Sequence, residues 1–87
     1  MPEQTWQINI SFTEDADRTR ADAIVALAGQ EFHGFGQAKR APRDPSVPMI
    51  GEELAAARAL SDLSHQLIEA AADRIGSFEG HPVNLHG

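Results

Sequence analysis

Hydrophobic and polar residues alternate regularly near the beginning of the chain. Trp6, Ile8, Ile10 and Phe12 occupy every second position, and polar residues stand between them. A period of two with aromatic and β-branched residues on the apolar side is typical of a strand that buries one face. The pattern therefore predicts a strand at residues 4–13.

The next stretch, after a polar turn at residues 14–17, has two interpretations. Its alanines favour a helix, which Asp17 is suited to cap. Its apolar residues also alternate with polar ones, and a glycine-containing turn at residues 29–31 separates it from a run of similar length. Two matched runs about such a turn are typical of a β-hairpin. Strands at residues 18–28 and 32–41 are favoured, but a helix over the first run stays open.

The second of these runs has one face of very small residues. Gly34, Gly36 and Ala38 follow Phe32 at alternate positions. Glycines inside a strand often mark the close approach of another backbone. We therefore expect this face to let a helix pack tightly against the sheet.

A proline-spaced connector at residues 42–49 leads into a long amphipathic segment at residues 50–75. Glu52 and Glu53 are expected in its first turn, where carboxylates complement the helix dipole. The predicted core-facing stripe consists of Leu54, Ala57, Leu60, Leu63, Ser64, Leu67, Ile68, Ala71 and Ile75. The predicted solvent-facing residues are Arg58, Asp62, His65, Gln66, Glu69 and Asp73. Gly76 is expected to end the helix and to leave an extended tail at residues 76–87.

The charge of the chain limits its partners. The formal net charge is −6, and residues 44–87 hold seven acids against two bases. Because phosphate binding needs clustered Lys and Arg, we expect no DNA contact and no non-specific nucleic-acid affinity. A basic group at Lys39, Arg40 and Arg43 is the exception. The absence of cysteine, of a signal-like N-terminus and of a membrane-length apolar run favours a cytoplasmic protein without membrane contact.

No motif in the sequence predicts catalysis. The run Gly34-Phe35-Gly36 lacks the next glycine of a dinucleotide fingerprint, and the four histidines lack metal-ligand spacing. Adjacent glutamates at a helix start are explained by the helix dipole alone. We therefore predict no enzymatic activity, no catalytic residue, no cofactor and no metal.

One face of the predicted sheet is a candidate binding surface. Its residues are His33, Phe35, Gln37, Lys39, Arg40 and Arg43, with Gln7, Asn9 and Ser11 expected nearby. A lone aromatic among polar donors on an open sheet is how some small domains stack single-stranded bases. The alternative is that Phe35 and Ile24 form an apolar patch that self-association or the tail covers. Because one aromatic is a small stacking platform, this alternative is favoured.

Four patterns together span nearly the whole chain: Trp6-x-Ile8-x-Ile10, then Thr19-Arg20-Ala21, then Gly34-x-Gly36-x-Ala38-x-Arg40, and most specifically the segment 44–63. They resemble a small actinobacterial domain-of-unknown-function family that is grouped with double-stranded-RNA-binding-like folds and likened to ribosome hibernation promoting factors. The resemblance implies a three-stranded antiparallel sheet with one long helix, dimers, and a link to dormancy or stress. It assigns no catalytic residues, and it tips residues 19–40 toward a hairpin.

We therefore predict a single α+β domain of order β-β-β-α, with one long C-terminal helix packed on a three-stranded antiparallel sheet and an extended C-terminal tail. Since a chain of 87 residues has a thin core, we expect a homodimer. The predicted function is a non-enzymatic, acidic, stress- or dormancy-associated binding protein that contacts the ribosome in the manner of a hibernation factor. The alternative is a homodimeric protein-interaction or regulatory module without nucleic-acid contact.

Overall fold

The computed structural model describes residues 3–39 and 48–79, which form three strands followed by one helix. The elements are β1 (Asn9–Glu14), β2 (Arg18–Leu27), β3 (Gln30–Lys39) and α1 (Pro48–Glu79). The strands form one antiparallel sheet in the order β1-β2-β3. The predicted β-β-β-α fold is confirmed, and the alternative of a helix over residues 19–28 is wrong.

The β2–β3 hairpin turns through two residues, Ala28 and Gly29, instead of the predicted three. Both have positive φ, 51° and 77° respectively. Two-residue hairpin loops need this backbone because its twist matches that of the flanking strands. As a result β3 begins at Gln30, which pairs with Leu27, and β3 starts earlier than predicted.

Strand β1 is shorter than predicted and begins at Asn9. Ile10 and Phe12 nevertheless point to the helix side, since they pair with Ala23 and Ala21, whose side chains are fully buried. Trp6 precedes the strand although it continues the alternation. Alternation reports which side a residue faces, and it does not report where pairing with a neighbouring strand stops.

The core lies between α1 and the strands β2 and β3, and it is built mainly from small residues. Its buried hydrophobic side chains are Ala21, Ala23, Val25, Phe32, Ala38, Ala55, Ala59 and Leu63. A Cβ atom on Gly36 would lie 2.5 Å from the carbonyl oxygen of Ala55, and one on Gly34 would lie 2.6 Å from the main-chain nitrogen of Leu63. The prediction that the glycine face of β3 receives the helix is confirmed.

Helix α1 faces the sheet with a stripe that shares Leu63 with the predicted one but is otherwise rotated away from it. Ala55, Ala59 and Leu63 are buried, whereas Leu54 and Leu60 are 47% and 39% exposed. The exposed small residues of the predicted stripe are Ala57, Ser64 and Ala71. The physical reason is the close backbone approach: opposite Gly36 there is room only for the small residues Ala55 and Ala59, and Leu63 follows them opposite Gly34.

The helix is also longer than predicted at both ends. It begins at Pro48, so Glu52 and Glu53 lie in its second turn and not in its first. Proline is well tolerated at a first helical position because its missing N–H has no partner there. The helix continues through Gly76, which does not end it. Residues 42–47 of the predicted connector and residues 80–87 of the predicted tail lie outside the described residues.

Within residues 3–39 and 48–79, no helix combines the length and the apolar character that crossing a membrane requires.

Candidate functional site

The sheet surface that faces away from α1, here called the outer face, carries four of the six predicted binding residues. His33, Phe35, Gln37 and Lys39 occupy alternate positions of β3, and all four are exposed. The side-chain alternation of a strand places them in one row. Arg40 and Arg43, the other two, lie outside the described residues.

Two residues that the sequence analysis did not select complete this surface. Arg20 Nε donates to Asp22 Oδ2 at 3.2 Å, and Arg20 Nη2 lies 3.1 Å from Asp22 Oδ1. His33 Nε2 lies 2.7 Å from the same Oδ1 atom, to which only an N–H can donate because the carboxylate accepts. The guanidinium carbon of Arg20 stands 4.2 Å from the centre of the Phe35 ring. We call these four residues the Arg20 cluster.

The strand register explains why the Arg20 cluster forms. Asp22 pairs with Phe35, Arg20 with Gln37, and Ile24 with His33. Arg20 and Asp22 are successive residues on one face of β2. The contacts of Asp22 with His33 and of Arg20 with Phe35 join diagonal cross-strand neighbours, which long side chains can reach. The position of Arg20 and Asp22 on one face of β2 was visible in the sequence. Their contact with β3 depends on the two-residue turn, which the sequence analysis placed elsewhere.

Asp22 is the electrostatic centre of the cluster. Hydrogen bonds from Arg20, and then from His33, hold the pKa of the Asp22 carboxyl below its usual value. The carboxylate therefore stays ionised and fixes the planar guanidinium against the Phe35 ring, an arrangement that cation–π attraction also favours. The cluster thus presents an ordered, flat guanidinium on the outer face.

The basic end of the outer face lies next to this cluster. Arg18 and Lys39 are direct cross-strand partners on the same face. Within the described residues neither forms an ion pair with a carboxylate. Like charges directly opposite each other destabilise a sheet, so an anion placed between these two side chains would relieve their repulsion.

The predicted neighbours from the N-terminal strand lie farther away than expected. Strand β2 separates β1 from β3, so Asn9 and Ser11 are about 10 Å from the row on β3. Gln7 precedes β1 altogether. The expectation that these three residues adjoin His33 and Phe35 is wrong, because the order of strands follows their order in the chain.

Polar side chains of α1 close the outer edge of β3. Arg58 Nη1 donates to the carbonyl oxygen of Gln37 at 2.7 Å, and Gln66 Nε2 donates to that of His33 at 2.7 Å. Asp62 Oδ2 accepts from the N–H of Phe35 at 2.8 Å. The expectation that Arg58, Asp62 and Gln66 face only solvent is therefore wrong. These contacts also fix the strand that carries most of the candidate binding residues.

A second surface lies on the helix side of the sheet, where α1 leaves β1 uncovered. The helix packs on β3 and β2 and barely reaches β1. Ile8 and Phe12 are each 42% exposed. A pocket of about 370 Å³ there is lined by Ile8, Leu60, Leu63, Ser64, Leu67, Ile68 and Ala71. We call this pocket together with Ile10 and Phe12 the β1 trough.

Apolar exposure continues beyond the β1 trough toward the hairpin turn. Trp6 is 55% exposed and borders a cleft of about 380 Å³ beside Leu27 and Phe32. Leu67 lines both this cleft and the β1 trough. The two hollows therefore form one connected apolar side of the molecule, opposite the outer face.

The described residues contain no group of three or more His, Asp or Glu side chains that could hold a metal ion.

Comparison with known proteins identifies the family of the chain and a solved structure with the same fold. A family model described as Rv2632c-like matches residues 4–84. The chain belongs to the Rv2632c-like family. The crystal structure of Rv2632c superimposes with a TM-score of 0.86 at 40% identity, covering 94% of this chain and 98% of that one. The Rv2632c-like fold is thus the β-β-β-α arrangement described above.

The curated relatives in the Rv2632c-like comparison are mycobacterial, which agrees with the predicted actinobacterial family. "Uncharacterized protein Rv2632c" from Mycobacterium tuberculosis H37Rv is 43% identical over 84 residues, or 95% of this chain and 90% of the relative. "Uncharacterized protein Mb1767" from Mycobacterium bovis is 38% identical over 82 residues, or 94% of this chain and 87% of the relative. The match therefore extends over nearly the full length of these proteins.

Proposed function

We propose that this Rv2632c-like chain is a non-enzymatic interaction module that works as a homodimer, with the β1 trough as the dimer surface. The observation that carries the proposal is the half-exposed apolar surface formed by Phe12, Ile8 and Leu60. Burying such surface is the main source of free energy in protein association. A small domain whose core is built largely of alanine has a particular need of it.

The shape of the β1 trough favours a second copy as its occupant. Because α1 packs over β3 and β2, a second helix beside it would lie over β1 and the edge of the sheet next to it. The flank of α1 that borders this space carries Leu60, Leu67 and Ile68. A two-fold axis would bring the α1 flank of one copy over the β1 of the other, so that the same surface serves on both sides. The two helices would then lie side by side at the usual packing distance of about 8–10 Å.

The two edges of the sheet give independent support. The edge of β3 is closed by Arg58, Asp62 and Gln66. In the described part of the chain, no side chain makes a comparable bond to the outer edge of β1. Open strand edges are sites at which other chains add, and this edge borders the β1 trough. A partner seated there would cover the apolar surface and the open edge together.

Light scattering on purified protein at micromolar concentration tests the proposal. Phe12→Ser with Leu60→Ser should convert a dimer into a monomer. Phe35→Ser with Leu54→Ser is the matched control, because it removes equivalent side chains of similar exposure away from the trough, and it should stay dimeric. A wild-type monomer, or a dimer that both variants keep, would refute the β1 trough as the interface.

A second candidate function is contact with the ribosome or other RNA in stress or dormancy, in the manner of a hibernation promoting factor. The paired cations Arg18 and Lys39 beside the Arg20 cluster favour it. Because the outer face lies opposite the β1 trough, a dimer would keep it accessible. Purified ribosomal subunits should retain the protein at low salt and release it as salt rises. Co-sedimentation that survives Lys39→Glu with Arg40→Glu would eliminate this candidate.

A further inference from the structure

We propose that the outer face holds a single-stranded polynucleotide, with a base stacked on the guanidinium plane of Arg20 and the adjoining phosphate between Arg18 and Lys39. The inference rests on the second candidate function only in using the same face. It names the ligand and assigns a role to Arg18 and Arg20, neither of which belonged to the predicted binding surface.

The phosphate position follows from the charges at the basic end. Arg18 and Lys39 project from directly opposed positions of β2 and β3, and within the described residues no carboxylate pairs with either. Two cations in this position repel each other unless an anion lies between them. A phosphate fits, because its oxygens can accept from a guanidinium fork and from an ammonium group together.

The stacking position follows from the order of the Arg20 side chain. Two bonds to Asp22 fix the plane of the guanidinium, and Phe35 supports it at 4.2 Å. The Arg20 side chain is still 51% exposed. Bases stack on guanidinium planes as they do on aromatic rings. Because Asp22 already balances the charge of Arg20, the Arg20 guanidinium would contribute to binding mainly by stacking on a base and less by electrostatic attraction of the phosphates.

The spacing joins the two positions into one site. Arg18 and Arg20 are two residues apart on one face of β2, which separates their Cα atoms by about 7 Å. That distance is within the reach of one nucleotide from its phosphate to its base. Thr13 and Gln37 are the cross-strand neighbours of Arg20. Their polar groups are therefore placed to bond to the edges of a base that lies over the guanidinium.

A single strand suits this surface better than a duplex. A base can reach the Arg20 plane only when it is free of its own pairing and stacking. A duplex is held mainly through many phosphates, and the chain as a whole carries a charge of −6. A short basic end next to a stacking plane matches one or two nucleotides of a flexible strand.

Titration with a short oligoribonucleotide, followed by amide NMR at low salt, tests the inference. Shift changes should concentrate on Arg18, Arg20, Phe35 and Lys39. Arg20→Lys keeps the charge and removes the plane, so affinity should fall roughly 5- to 150-fold, the loss of one base stack. Arg74→Lys, on the exposed side of α1, is the matched control and should bind like wild type.

Three further binding measurements test the two parts of the site separately. Inorganic phosphate should perturb Arg18 and Lys39 equally in wild type and in Arg20→Lys. The same oligonucleotide annealed to its complement should bind more weakly than the single strand. Phe35→Leu should reproduce the loss seen with Arg20→Lys. Unchanged spectra with the single strand, full affinity in Arg20→Lys, or a preference for duplex would each overturn the inference. Oligonucleotide binding without ribosome co-sedimentation would reject the ribosome proposal alone.

Discussion

The carboxylate of Asp62 on α1 accepts a hydrogen bond of 2.8 Å from the main-chain N–H of Phe35 on β3. This contact joins the polar flank of the helix to the outer edge of the sheet. Arg58 and Gln66 extend it to the neighbouring carbonyl groups of β3. Polar side chains thus give partners to main-chain groups that would otherwise invite another strand. The helix fixes the row of candidate binding residues and keeps one edge of the sheet closed.

Replacing Asp62 by alanine should lower the free energy of unfolding by about 1–3 kcal/mol, because a charge-assisted bond to a main-chain donor is lost. Urea denaturation followed by circular dichroism measures this change. Glu69→Ala, at an exposed position two turns along the same helix, is the control and should stay within about 0.5 kcal/mol of wild type. Equal midpoints for the two variants would show that the Asp62 contact contributes nothing.

Gly36→Val should destabilise the fold by at least about 1–3 kcal/mol, the usual cost of overpacking. The added atoms would meet main chain of α1 at Ala55 and Ala59, which cannot rotate away as a side chain could. Gln37→Val places the same residue on the exposed face of the same strand and serves as control. Thermal melting of both variants decides the matter. A Gly36→Val protein that melts with wild type would mean that α1 is not seated on Gly36.

The contrast between Gly36 and Leu60 shows which features of the fold could be predicted from the sequence and which could not. Alternation and glycine content predicted the first strand and the face of β3 that receives a helix, whereas the choice of a hairpin over a helix for the second strand also needed the family resemblance. The rotation of α1 was predicted wrongly, because a helical wheel ranks residues by apolar size and therefore favours Leu60 over Ala59. The packing distance decides instead, since the main chain of α1 that approaches Gly36 most closely carries the small residues Ala55 and Ala59. Leu60, which the helical wheel assigned to the core, instead lines the β1 trough.

The Arg20 cluster shows a second limit of prediction from the sequence, which concerns contacts between strands. Alternation placed His33 and Phe35 on the outer face, but Arg20 and Asp22 were not assigned to it. The contact between Arg20 and Phe35 depends on the hairpin register, and a turn moved by one residue changes every cross-strand neighbour. The turn was misplaced because Ala28 takes a left-handed backbone, which alanine seldom adopts.

Ala28→Asn should therefore stabilise the protein by about 1 kcal/mol. Alanine at a φ of 51° carries a steric cost that asparagine bears more easily, and Asn-Gly is the preferred pair for this turn. The melting temperature should rise for Ala28→Asn and fall for Ala28→Val, whose branched side chain suits this backbone worst. A drop in both variants would contradict the assigned turn.

The decrease in the free energy of unfolding at acidic pH should depend on Asp22. Its pKa is lower in the folded chain than the ordinary value of 3.8, because Arg20 and then His33 bond to the ionised form. The folded state therefore binds this proton less readily than the unfolded state does. The stabilisation is complete well above pH 3.8 and is lost as pH falls through the lowered folded pKa. Urea midpoints measured across this range should fall less steeply with acid in Asp22→Asn than in wild type. If the urea midpoints of the two proteins fell equally steeply with decreasing pH, Arg20 and His33 would not favour the charged carboxylate.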